Sequence, residues 1–179
     1  MHSDQTLNLK SFDRHSFVAQ FGGIYEHSPE VAELVWSDTG ADNEITFAAL
    51  AERFRLTVEN SSDERKLALL RAHPELAGKA ATDGTLTPES TEEQASARLD
   101  RCTPGELEKF HQLNSAYNEK FEFPFIMAVR NSTRAEILVA FESRLNNSCG
   151  EEFATALEQV HQIAALRLAA FAETVTGQG

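Results

Sequence analysis

Leu69 to Asp100 reads LLRAHPELAGKAATDGTLTPESTEEQASARLD, and this stretch decides the interpretation of the whole chain. An apolar helical pattern ends at His73-Pro74, because the residue before a proline is driven out of the α region. Gly78 to Gly84 has the composition of a surface loop. Thr87-Pro88 then starts a second helix, which we predict to run to about Arg101. The stretch therefore predicts helix, loop and helix, with polar side chains next to the break.

The rest of the chain shows the same helical punctuation. Further helices are expected after Ser11, from Ser28-Pro29, from Thr46, from Ser62, from the capping box at Thr103-Pro104, from Ser132, and over a last apolar stripe from Phe153 to Phe171. No β-hairpin signal and no alternation of strand and helix appear. The sequence predicts an all-α fold, a single-domain helical bundle of about seven to nine helices over residues 1–179, with 1–10 loose.

Composition excludes several classes of function. The 179 residues suffice for one domain with a sizeable core. A net charge of −12 without a basic stripe argues against nucleic-acid binding, and no apolar run approaches the ~20 residues of a membrane span. Cys102 and Cys149 lack metal-ligand spacing and are expected to be free thiols. With no secretory signal, we expect a cytoplasmic protein without a membrane partner.

His73 is the first candidate for chemistry. Imidazole titrates near neutral pH, so a histidine held in place by Pro74 suits proton transfer. The alternative is a histidine that interacts with the carboxyl end of its helix through the helix dipole. For an isolated His-Pro pair, the structural alternative is the stronger.

Ser90, Glu93 and Gln94 form the second candidate group. Glu93 and Gln94 lie three and four residues after Ser90, so the three residues share one face of the predicted helix. A carboxylate beside an amide offers an acceptor and a bidentate partner to a planar heterocycle. The alternative is a solvated polar face, which the residue types favour when taken alone.

Two further features are ambiguous. Arg167 falls on the apolar stripe of the last helix, where its guanidinium is either a ligand clamp, an internal ion pair or a group at the margin of the stripe. Phe121 to Val129 breaks the helical period around Pro124, and we predict an extended, largely buried segment. Its backbone groups pair either within the core or with a substrate.

Several ordered motifs together resemble one family, the decarboxylases of 2-oxo-4-hydroxy-4-carboxy-5-ureidoimidazoline (OHCU). The motifs are YEHSP at 25–29, HPELAGK at 73–79, STEEQASARLD at 90–100, FEFPFIMAVR at 121–130 and HQIAALRL at 161–168. No single motif is specific, but the set spans nearly the whole chain. One departure is Arg98, which stands where the family often has glycine.

The resemblance implies a carboxy-lyase that converts OHCU to (S)-allantoin, the third step of urate degradation in purine catabolism. It implies no metal and no organic cofactor, a homodimer, and cooperation with urate oxidase and hydroxyisourate hydrolase. By motif, His73 is the catalytic acid/base. The remaining implied residues contact the substrate: Pro74, Ser90, Glu93, Gln94, the backbone around Phe123, Phe125 and Ile126, and Arg167.

These residue types fit the chemistry that the resemblance implies. Loss of CO2 leaves negative charge that must spread into the ring, where Arg167 and Gln94 can stabilise it. His73 either moves the hydroxyl proton or delivers the new one. The competing hypothesis is a non-catalytic helical module that binds a small anionic heterocycle or a partner helix. A metal-dependent hydrolase is disfavoured because ligand spacing is lacking.

Overall fold

The computed structural model describes residues 5–39 and 43–176, and nine α-helices dominate them. The helices are α1 Arg14–Phe21, α2 Pro29–Thr39, α3 Phe47–Glu59, α4 Asp63–Arg71, α5 Lys79–Asp83, α6 Pro88–Ser96, α7 Pro104–Phe121, α8 Arg134–Arg144 and α9 Cys149–Thr176. Short 3₁₀ helices cover Leu9–Ser11 and Leu99–Arg101. The predicted all-α class is confirmed. Within the described ranges, none of these helices is long and apolar enough to cross a membrane.

The helices begin where the sequence offers capping groups. Thr46, Ser62 and Thr103 each accept a hydrogen bond from the backbone N–H three residues later. The Glu106 carboxylate in turn accepts a hydrogen bond from the backbone N–H of Thr103 at 2.8 Å, which completes the predicted capping box. These local bonds fix the starts of α3, α4 and α7.

The chain divides into two compact units. The terminal unit comprises residues up to Ala72 together with those from His161 onward, and its described part holds α1 to α4 and the end of α9. Its core is aromatic, with the Phe17 and Phe21 rings 4.7 Å apart and the Phe21 and Phe171 rings 5.2 Å apart. The prediction of a single domain stays a prediction.

The central unit, His73–Val160, contains α5 to α8 and the start of α9. Tyr117 of α7 packs edge-on against Phe125 at 5.4 Å and Phe141 of α8 at 5.6 Å. Phe125 stacks on Phe141 with ring centroids 3.9 Å apart. This aromatic cluster fixes the segment that follows α7. The predicted break in the helix and the predicted burial of this segment are confirmed.

Three local predictions are wrong. Residues 6–10 are not loose, because Thr6–Asn8 (β1) pairs antiparallel with Glu44–Thr46 (β2) and Leu9–Ser11 forms a 3₁₀ helix; residues 1–4 lie outside the described range. The expected loop at 78–84 contains α5, which Gly84 ends in the left-handed conformation. The helix expected to reach Arg101 ends at Ser96, since Arg98 adopts a left-handed φ of 57°.

Candidate active site

His73 and Pro74 follow α4 and open the loop that leads to α5. Helix α4 ends at Arg71, so the predicted break before Pro74 is confirmed. The His73 side chain is buried, with 8% exposure, and Pro74 is half-buried. A buried imidazole at a chain break can transfer a proton only to a group admitted beside it.

The polar face of α6 is partly buried. Ser90 and Gln94 are 4% and 5% exposed, and Glu93 is half-buried. The hypothesis of a solvated polar face is therefore wrong for Ser90 and Gln94. Because buried polar side chains require partners, their contacts indicate what this face does.

Gln94 binds the backbone of the loop after Pro74. Its Oε1 accepts a hydrogen bond from the Ala77 N–H at 3.0 Å, and its Nε2 donates to the Glu75 carbonyl at 3.3 Å. Ala77 has a φ of 49°, which is costly for a residue with a Cβ atom. The Gln94 amide thus holds a strained turn through backbone groups two and four residues after His73.

Helix α7 holds the same loop from another side. Asn114 donates from Nδ2 to the Leu76 carbonyl at 3.0 Å, and Asn118 donates to the Glu75 carboxylate. Gly78 is required because a Cβ there would lie 2.5 Å from the Glu75 Cβ. Together with Gln94, these contacts fix the loop that begins with His73.

The sequence interpretation missed these two asparagines as loop partners. Asn114 lies four residues after Phe110 and three before Tyr117, both fully buried, so a polar residue interrupts the apolar stripe of α7. That interruption is the sequence signal for a buried amide with a structural bond. Asn118 carries no comparable signal.

Phe123, Phe125 and Ile126 are buried on the segment after α7, with at most 3% exposure. Within the described ranges, the backbone N–H groups of Phe125 and Ile126 donate no hydrogen bond to the protein. Buried N–H groups rarely stay unpaired, so these two are available to a bound ligand or water. This observation favours the predicted pocket lining over a purely structural connector.

Tyr117 connects the segment to a buried carboxylate. Its phenol donates a short hydrogen bond to Glu152, whose side chain is fully buried. Burial raises the pKa of Tyr117 well above its ordinary value, and the hydrogen bond to Glu152 raises it further. The phenol therefore remains a neutral donor across the physiological range.

Arg167 belongs to the terminal unit, where its side chain is 5% exposed. Its Nη1 lies 2.7 Å from the Glu26 carboxylate and donates to the Gly23 carbonyl at 2.9 Å. The internal ion pair, one of the predicted alternatives for Arg167, is confirmed. The contact of Arg167 with substrate stays a prediction. In the same unit the Tyr25 hydroxyl lies 2.7 Å from Nδ1 of His161, so two of the sequence motifs meet there.

Metal-ligating side chains do not cluster in the part of the chain that the structure describes: no group of three His, Cys, Asp or Glu residues could hold an ion there. Cys102 and Cys149 are free, as expected. Cys102 is half-buried, and burial raises the pKa of its thiol. Neither thiol therefore forms part of an identifiable ligand set.

The site thus consists of a buried histidine on a loop that amide side chains fix, within an all-helical fold. The model of the OHCU decarboxylase family matches residues 10–169. The chain therefore belongs to the OHCU decarboxylase family.

Two named decarboxylases and one solved structure are similar to this chain. The 2-oxo-4-hydroxy-4-carboxy-5-ureidoimidazoline decarboxylase of Halalkalicoccus jeotgali is 43% identical over 90% of this chain and 88% of its own length. The Haloferax volcanii protein of the same name is 42% identical over 94% of this chain and 96% of its own. The solved structure of an (S)-allantoin synthase is 35% identical, with a TM-score of 0.71, and covers 92% of this chain, which spans 54% of that longer one.

Proposed function

We propose that this chain catalyses the cofactor-independent decarboxylation of OHCU to (S)-allantoin, the third step of urate degradation. The observation that carries the proposal is that His73 is buried at the start of a fixed loop. Gln94 and Asn114 hold the backbone of this loop in place. Such preorganisation suits a proton transfer that must occur on one face of a planar intermediate. Family membership supplies the substrate class.

In the proposed reaction, the bond between the ring and the carboxylate breaks and CO2 leaves. The electron pair stays on the substrate and spreads into the imidazoline C=N group. The ring nitrogen takes up a proton, and the hydroxyl group gives up its proton to become the C=O group of allantoin. A proton is added to the ureido-bearing carbon, and the face of addition decides the handedness of allantoin. His73 is the acid/base that handles this proton, with Pro74 limiting the orientation of the imidazole.

Binding groups surround the substrate on the proposed account. The N–H groups of Phe125 and Ile126 donate to substrate oxygens, where they also stabilise charge that develops as CO2 leaves. The neighbouring Phe123 ring contributes apolar wall. Ser90, Glu93 and Gln94 interact with the ring and ureido groups through the half-buried edge of α6.

Two of these assignments carry a second role. Gln94 already binds backbone, so a contact with substrate adds to its hold on the loop rather than replacing it. Arg167 holds a substrate carbonyl or carboxylate on this proposal, with Glu26 orienting its guanidinium.

The protein's setting is part of the proposal. We infer a cytoplasmic homodimer that takes its substrate from the preceding steps, catalysed by urate oxidase and hydroxyisourate hydrolase. Light scattering on the purified protein tests the assembly, with an expected mass of twice the 19.8 kDa chain. A mass of one chain at micromolar concentration contradicts the homodimer.

Circular dichroism at an allantoin band tests the activity. Urate is converted by urate oxidase and hydroxyisourate hydrolase, with and without this protein. We expect rapid growth of the (S)-allantoin signal only when the protein is present. A trace equal to the slow background, which gives both enantiomers, contradicts the enzyme and favours a non-catalytic binding module.

A further inference from the structure

Arg144, at the end of α8, contacts the segment that contains Phe125 and Ile126. Its Nη1 donates to the Ile126 carbonyl at 2.7 Å, and its guanidinium carbon lies 4.4 Å from the centre of the Phe125 ring. Its Nε donates to the Glu152 carboxylate at 2.8 Å, and Nη2 donates to the same oxygen. One guanidinium thus joins a ring, a carbonyl and a buried acid.

Glu152 is completely bonded in this arrangement. One carboxylate oxygen accepts from Arg144 and from the Tyr117 hydroxyl, and the other accepts from Asn147 Nδ2 at 2.8 Å. The side chain is 0% exposed, and that of Arg144 is 12% exposed. The network therefore fixes the guanidinium in one orientation.

Stability alone does not account for such a buried ion pair, since an apolar replacement of similar volume is often as stable. What an apolar residue cannot provide is a donor to the Ile126 carbonyl. A lysine cannot provide the whole set either, because its single ammonium group lacks the planar fork that bonds both Glu152 and Ile126 and stacks on Phe125. The geometry thus selects arginine for holding the backbone.

The held atoms flank the N–H group of Ile126. The Phe125 ring precedes this N–H in the chain and the Ile126 carbonyl follows it, and Arg144 contacts both. Fixing both flanks restricts the rotations that would turn the Ile126 N–H. The direction of this free donor is therefore set by Arg144.

We propose that Arg144, oriented by Glu152, is a positioning residue that aims the Ile126 N–H group at the substrate. The inference rests on the proposed function, in which this N–H group binds a substrate oxygen. Misdirected donors weaken interactions that strengthen in the transition state, so the effect falls on kcat more than on KM.

Arg144→Lys is the test variant, and Arg134→Lys is its matched control. Arg134 pairs with Glu106 at 2.9 Å in the same unit and makes no hydrogen bond to residues 121–130 among those that the structure describes. Each protein is measured for kcat, KM, product handedness and thermal unfolding. Hydrogen–deuterium exchange of residues 122–129 provides a readout that does not depend on activity.

We expect Arg144→Lys to fold, to lose about tenfold or more in kcat with less than about threefold change in KM, and to exchange residues 122–129 faster. Arg134→Lys stays within about twofold of wild type in kcat, the variation expected of an independent site. A folded Arg144→Lys protein with wild-type kcat and exchange overturns the inference.

Arg144→Gln is the second variant, since its amide can still donate to one acceptor. If both Arg144 variants fail to fold, Arg144 is a stability residue and the inference falls. If the wild-type protein itself forms no excess of (S)-allantoin, the proposed function fails. The exchange measurement then decides separately whether Arg144 holds the segment.

Discussion

Replacement of Gln94 by methionine separates a structural role from a substrate-binding role. Methionine matches the length of glutamine but can neither accept from the Ala77 N–H nor donate to the Glu75 carbonyl. Ala77 is only 2% exposed, so its N–H loses its partner without gaining water. An unpaired buried group costs about 1–3 kcal/mol, and a lost bond to a more accessible carbonyl costs about 1 kcal/mol.

The expected loss in the free energy of unfolding is therefore about 2–4 kcal/mol. Urea denaturation followed by far-UV circular dichroism measures it, with Gln112→Met as control. Gln112 also lies on a helix, and its amide bonds the exposed Glu108 side chain at 2.9 Å, so we expect less than about 0.5 kcal/mol there. A Gln94→Met protein as stable as the control, with a raised KM, would refute the reasoning and make Gln94 a substrate ligand only.

Three further predictions concern groups with unusual environments. Arg167→Met should destabilise the fold by about 3–5 kcal/mol, because it leaves Glu26 buried at 1% exposure without its cation. Adding Glu26→Gln should recover part of this loss in the same urea assay. Arg98→Gly should raise the free energy of unfolding by about 1 kcal/mol, because glycine adopts the φ of 57° without steric cost; a lower unfolding midpoint contradicts this. The raised pKa of Tyr117 means that the folded protein favours the neutral phenol. The contribution of the phenol to the free energy of unfolding is therefore complete below the unfolded pKa of about 10, and it is lost as the pH rises above that value. Wild type should therefore lose more stability than Tyr117→Phe between about pH 9 and about pH 11, and equal losses would show that the phenol does not titrate against the fold.

Local chemistry accounts for what the sequence predicted well. Hydroxyl caps at Thr46, Ser62 and Thr103 bond the helices that they begin, and Pro74 ends α4 nearby. The wrong elements lack such signals. Helix α5 has five residues, too few to be stable alone, so its formation depends on contacts distant in sequence. The sheet pairs Leu7 with Ile45, a long-range contact that no hairpin pattern announces.

The candidate site divides in the same way. The helical period put Ser90 and Gln94 on one face, and the sequence left open whether that face was solvated. Only the fold reveals that Gln94 binds the backbone after Pro74. Arg144 and Glu152 both lie one turn from buried apolar residues on their helices. The bond from Arg144 to the Ile126 carbonyl joins separate elements of the chain, so it cannot be predicted from residue spacing.

The most direct test of the whole account is the time course of the (S)-allantoin dichroism signal with wild type and with His73→Asn at equal concentration. We predict rapid formation of one enantiomer by wild type. The His73→Asn protein, with an unchanged far-UV spectrum, should give only the slow background of both enantiomers. Wild-type speed and handedness from folded His73→Asn would contradict the claim that His73 handles the proton.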